Sequence, residues 1–152
     1  MYDGRNANSF WIVLHISVFF GERKLNMGPH IVIVEPNAET KSVLLELLPE
    51  YKLTIANDAQ EAIQALANDD ECQLVLLDMS LSGHSGFELL YELRTYPDWD
   101  RVKIIVFSSV EIGREVMESR AWEKLMIADY FYKPYTDLTR LRAAALEALT
   151  VA

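Results

Sequence analysis

From residue 31 onward the chain switches repeatedly between two hydrophobic periods. Short apolar runs bounded by polar or turn residues read as strands, and stretches with apolar residues three and four apart read as helices. The first run, Ile31-Val32-Ile33-Val34, lacks polar alternation, the pattern of a strand buried on both faces, and it closes on Glu35 and Pro36. Residues 38–48 follow with Val43, Leu44, Leu47 and Leu48 at helical spacing. Residues 51–56 alternate with polar positions and predict a strand nearer a sheet edge. Residues 58–67 place Ala62, Ile63 and Leu66 on one helical face. Residues 74–78 (LVLLD) predict a third, buried strand. Residues 85–94 predict a helix opened by Ser85, with Glu88 three positions on as a capping box requires. A fourth strand spans 102–107 (VKIIVF), a helix 111–125, a fifth strand 128–133 (ADYFYK) and a last helix 136–149.

Five strand–helix repeats with short connections predict an α/β fold: a five-stranded parallel sheet with helices on both faces, doubly wound. Right-handed crossovers bring the C-terminal ends of the strands to one edge, where open sheets of this kind carry their chemistry. The predicted strands end at Glu35, Asp78, Ser108-Ser109 and Lys133-Pro134. Two carboxylates, a hydroxyl and an amine converging there suit phosphoryl transfer. Carboxylates hold Mg2+, a carboxylate can itself be the nucleophile, and an ammonium neutralises the transferring oxygens. Ser108-Ser109 also reads as a helix cap, with Ser109 the better candidate for that role. The Tyr130-Phe131-Tyr132 run reads as ordinary strand packing.

A formal net charge of −9 argues against a nucleic-acid surface. The single cysteine, Cys72, rules out a disulfide within the chain, fits a cytoplasmic, reducing setting, and reads as an inert, half-buried thiol. Residues 10–20 (FWIVLHISVFF) are too short for a membrane-spanning helix and lack a signal peptide's basic leader. Three readings compete for this N-terminal stretch: translation that truly begins at Met27, a strand or helix that docks on the domain or on a second copy, and a membrane anchor.

The segments LVLLDMSLSGHSGFELL (74–90), KIIVFSS (103–109) and ADYFYKPY (128–135), in that order, resemble the receiver domain of two-component response regulators. The resemblance covers residues 30–150. It implies a flavodoxin-like receiver domain over residues 30–152, with residues 1–29 an N-terminal extension and no room for a further output domain. It implies that Asp78 accepts a phosphoryl group from a histidine kinase or phosphotransfer protein, with Mg2+ bound by Glu35, Asp78 and the backbone carbonyl of Ser80. Lys133 then pairs with the acyl phosphate, and Ser108 bonds a phosphoryl oxygen. Tyr130 acts as a switch aromatic that turns inward as Ser108 moves. The output is a protein-interaction surface made by the fourth helix, fifth strand and fifth helix, read by a downstream protein target. Signalling, not enzymatic turnover, is the expected role, beyond assistance to the protein's own aspartyl phosphorylation and dephosphorylation. A monomer or weak homodimer is expected, with no direct nucleic-acid or membrane partner. His84 falls in the loop after the third strand and reads as solvated.

One position departs from the family's pattern. Receivers normally end the first strand with two adjacent acids, and here the second is Pro36. This predicts weakened Mg2+ binding, and keeps open a degenerate receiver that acts as a phosphorylation-independent interaction module. The segment between Ser108 and Lys133 also runs longer than usual and lacks a glycine before the fifth strand. A flavodoxin-like nucleotide or flavin binder, or a small phosphatase, is disfavoured: EPNAET after the first strand has no glycine, and no acid lies two residues beyond Glu35 or Asp78.

Overall fold

The uninterrupted apolar runs form the middle of the sheet. A computed structural model describes residues 28–83 and 85–150. Five strands, β1 (Gly28–Val34), β2 (Tyr51–Ala56), β3 (Cys72–Leu77), β4 (Lys103–Ser108) and β5 (Ile127–Tyr132), pair in the order β2-β1-β3-β4-β5, all parallel. β2 is an edge strand, half-buried along all but its last residue, as its alternation predicts. The order reverses between β1 and β3, so a crevice forms between their C-terminal ends, where Glu35 and Asp78 sit.

Strand period two divides the core between the two faces. Ile31, Ile33, Leu74, Leu76, Ile105 and Phe107 meet Leu44 of α1 (Ala38–Leu47), Leu48 just beyond it, and Leu141 and Ala145 of α6 (Leu138–Thr150). On the other face Val32, Val34, Val75, Leu77, Ile104 and Val106 meet α2 (Ala59–Ala67) and α3 (Gly86–Thr95). Local chemistry starts each helix where the caps are. Asn37 accepts from the Thr40 amide at 2.9 Å and Asp58 from the Glu61 amide at 2.8 Å. The predicted box forms: Ser85 Oγ accepts from the Glu88 amide, and Glu88 accepts from the Ser85 amide.

The region after β4 departs from expectation. The single helix predicted over 111–125 is two short helices, α4 (Arg114–Met117) and α5 (Arg120–Leu125). Ser119 makes the break. Its backbone is extended, its hydroxyl donates to the Val116 carbonyl at 2.6 Å, and it accepts from the Trp122 amide at 3.2 Å, ending one helix and capping the next. The turn into β5 is made by Met126 at φ 50°, where a glycine would be unstrained. Ser109 does not cap α4, whose N-cap is Gly113 and which has no side-chain cap. β5 stops at Tyr132, one residue before the predicted end. Lys133 opens a 3₁₀ turn, Lys133–Tyr135, because Pro134 has no N–H to continue the ladder.

Candidate functional site

Each strand of the crevice delivers one group. Glu35 follows β1 and is 1% exposed, Asp78 follows β3 and is 5% exposed, and Ser108 ends β4 fully buried. Lys133, just past β5, reaches back between the two acids. Its Nζ lies 2.6 Å from Glu35 Oε2 and 2.5 Å from Asp78 Oδ2. The Phe107 ring, 5.4 Å from the ammonium, flanks it on another side. A buried charge needs such partners, and here one ammonium serves two carboxylates.

The remaining carboxylate oxygens are also used. Glu35 Oε1 accepts from the Asn37 amide at 2.8 Å, an arrangement that the short Pro36 link permits. Asp78 Oδ1 accepts from Ser108 Oγ at 2.7 Å and from the Ser80 amide at 2.7 Å. Ser108 Oγ in turn accepts from the Met79 amide at 3.1 Å and the Val110 amide at 3.2 Å. The two acids differ in electrostatics. Burial pushes the Glu35 carboxyl above its ordinary value, outweighing the pull of Lys133 and the Asn37 amide. Burial acts on Asp78 in the same direction, but the bonds from Lys133, Ser108 and the Ser80 amide outweigh it and hold that carboxyl below its ordinary value. Asp78 is thus the more acidic of the two carboxyls.

The loop after β3 needs its glycines. Gly83 has φ 78°, and a Cβ on Gly86 would lie 2.6 Å from Met79 Cα, so α3 could not approach the strand end so closely with any other residue. His84 lies outside the described residues.

Tyr130 is tied to the loop after β4. Its hydroxyl donates to the Val110 carbonyl at 2.8 Å and accepts from the Ile112 amide at 3.2 Å. Val110 therefore joins Ser108, through its amide, to Tyr130, through its carbonyl. The Tyr130 ring meets Trp122 edge-on at 6.4 Å, and Trp122 meets Phe87 of α3 at 6.3 Å. Glu35, Asp78, Ser108 and Lys133 are brought into direct contact or one bond apart, while Tyr130 is connected through the loop. Ser80 contacts Asp78 by its amide. The roles of Phe107, Val110 and Trp122 carry no sequence signal, since each sits in an ordinary apolar pattern.

The family model of the response regulator receiver domain matches residues 31–146. The chain belongs to this family. The two-component response regulator ORR11 of Oryza sativa subsp. japonica is 20% identical over 122 residues, covering 78% of this chain and 81% of that protein. ORR27 of the same subspecies is 30% identical over 115 residues, covering 70% of this chain and 17% of that much longer protein. Among solved structures, the Mn(2+)-bound form of response regulator Rcp1 matches with a TM-score of 0.69 at 22% identity, over 82% of this chain and 97% of that one. The response regulator TrrA of Thermotoga maritima in complex with Mg(2+)-BeF matches with a TM-score of 0.67 at 22% identity, over 80% and 100%. These neighbours show the receiver fold, five parallel strands flanked by helices. Among the described residues, no helix is long and apolar enough to cross a membrane.

Proposed function

We propose that this receiver domain takes a phosphoryl group on Asp78 and passes the change to a protein partner. The observation that carries the reading is the Asp78 carboxylate, held ionised by Lys133 and Ser108 at the crevice between β1 and β3. An Asp78 oxygen attacks the phosphorus of a phosphohistidine on a histidine kinase or phosphotransfer protein, and the P–N bond breaks. The donor's imidazole leaves with the electron pair and takes up a proton. Lys133 then balances charge on the acyl phosphate, and the Ser108 hydroxyl turns from the carboxylate to a phosphoryl oxygen.

The donors fit Mg2+ in kind: Glu35 and Asp78 carboxylates with the Ser80 carbonyl are hard oxygen ligands. They fit it weakly in number. Among the described residues no group of three or more His, Cys, Asp or Glu is placed to hold a metal, and Asn37 Oδ1 is already engaged by Thr40. A bound divalent cation would supply further neutralisation of the phosphoryl oxygens. Residues 30–152 act as the receiver unit, with residues 1–29 as an extension whose last two residues already belong to β1. The output surface comprises α4, α5, β5 and α6, and Tyr130, bonded to the loop that Ser108 anchors, is its link to the site. The domain works as a cytoplasmic, monomeric or weakly dimeric signalling protein that meets its target by protein contact.

The test is incubation with Mg2+ and acetyl phosphate followed by intact-mass measurement. One added phosphoryl group is expected on the wild-type chain and none on Asp78→Asn. A folded protein that takes no adduct even at high Mg2+ rejects this reading. Pro36 in place of the second acid favours a second reading, a phosphorylation-independent interaction module. Asp78→Asn in the cell separates the two, because an unchanged phenotype belongs only to the second.

A further inference from the structure

A cleft of about 660 Å³ lies far from the carboxylates, at the N-terminal edge of the sheet. Its exposed lining is mainly apolar, from Cys72, Val102, Met126, Ala148 and Leu149, and Arg94, Asp100, Arg101 and Lys103 also line it. Met126 is 52% exposed there, although it is a large apolar side chain. A second, polar cleft of about 540 Å³ adjoins it and shares Cys72 and Gln73. This one contains Gly28, the first described residue, together with the exposed acids Asp70 and Glu71. Register fixes the adjacency, since His30 of β1 pairs with Cys72 of β3. The chain therefore enters the fold in the polar cleft, and the apolar cleft begins one strand away.

The sequence ahead of Gly28 matches this path. Residues 21–27 (GERKLNM) carry Arg23 and Lys24, complementary to Asp70 and Glu71. Seven residues can span up to about 23 Å. In residues 10–20 every side chain except His15 and Ser17 is apolar. We propose that residues 10–20 dock in the apolar cleft of their own chain, with residues 21–27 crossing the polar cleft. The occupant is the chain's own segment because it emerges beside the cleft at a high effective concentration. Docking covers Met126 and Leu149 and removes an aromatic, β-branched stretch that would otherwise invite aggregation.

Disulfide trapping in the full chain tests this. In a Cys72→Ala background, Val13→Cys is combined either with Met126→Cys in the cleft or with Glu39→Cys at the opposite edge. Under mild oxidation the first pair should close an intramolecular disulfide at least tenfold faster than the second. Equal rates overturn the proposal. So do cross-links only between chains, which would make the occupant a second copy. Should these variants fail to fold, the unaltered full chain supplies the same answer by NMR. The Trp11 indole is expected to show NOEs to Met126 and Leu149 methyl groups. Their absence overturns docking, as does recovery of Trp11 in lipid vesicles rather than in the free monomer. Intact mass of the protein from its own cells is expected to include residues 1–26, and a chain beginning at Met27 overturns the proposal.

Discussion

Pro36 and Met126 each hold a position that another residue would fill with less conflict, for different reasons. Pro36 leaves the crevice one acid short, while its neighbour Glu35 is committed to Lys133 and the Asn37 amide. Restoring an acid adds a charged oxygen donor where only two carboxylates stand. Pro36→Asp should tighten Mg2+ binding by about tenfold, since affinity in such sites follows ligand charge count. Isothermal titration calorimetry with Mg2+ reads this directly, and an unchanged affinity would show that residue 36 does not face the cation. Met126 stands at φ 50° with its side chain half in solvent. A side chain in the left-handed region costs about 1–2 kcal/mol, so Met126→Gly should raise stability by about 1 kcal/mol. Urea unfolding measures it as a higher midpoint at constant slope. Cys72 is less conspicuous: it is buried rather than half-buried, and burial pushes its thiol up to about 11, leaving it unreactive.

At the scale of elements, the break at Ser119 leaves two short helices ahead of β5, and Arg94 at the end of α3 ties the second of them to its surroundings. Its guanidinium donates to the carbonyls of Leu125, Trp99 and Val102, at 2.8, 3.0 and 3.2 Å, and more distantly to that of Met126. The Leu125 and Met126 carbonyls lie at a helix end, where no amide of the same helix can reach them, and the Trp99 carbonyl also accepts from the Val102 amide at 3.0 Å. One side chain thus fastens α3, the start of β4 and the α5–β5 turn together. Arg94→Met should lower stability by about 3 kcal/mol, because each unpaired buried acceptor costs about 1–3 kcal/mol. Arg94→Lys should recover little, since an ammonium cannot match the planar fork. Chemical denaturation of the three proteins decides it: equal loss in both variants is the expected pattern, and full rescue by lysine would point to charge alone. The helix start at Ser85 was legible in the sequence because a capping box acts through residues three apart in the chain. The break at Ser119 was not, because Ser119 is equally acceptable within a helix until its hydroxyl finds Val116.

For the whole molecule, the two edges of the sheet answer differently to pH. At the N-terminal edge His30 is 4% exposed, with Nε2 2.8 Å from Thr54 Oγ1. Its Nδ1 is 2.7 Å from Asp69 Oδ2, close but poorly aligned for a hydrogen bond, and Lys52 shares that same oxygen at 2.6 Å. Burial pushes the imidazole below its ordinary value, more than Asp69 and Glu71 raise it. The folded state then binds fewer protons than the unfolded chain. The contribution is complete above the unfolded value of about 6.5 and is lost as pH falls toward the lowered folded value. Asp78, also lowered, behaves in the same sense below about pH 4, its unfolded value. Glu35, raised by burial, acts in the opposite sense over part of this range. The His30 share is therefore read by difference: between pH 7 and 5 the wild type should lose more stability, by urea unfolding, than His30→Gln. An equal slope in the variant would assign the loss to other groups.

The sequence by itself determined the parallel sheet, its buried middle, the place of β2 near an edge, and the set Glu35, Asp78, Ser108 and Lys133 at strand ends. It could do so because strand period, helix caps and crossover handedness are local rules. Only the tertiary structure decided that one ammonium joins both acids, that Val110 links Ser108 to Tyr130, and that the helix after β4 breaks. Those outcomes depend on distances between residues far apart in the chain. Lys133 and Glu35, 98 positions apart, become hydrogen-bonded partners only when β1, β3, β4 and β5 lie side by side.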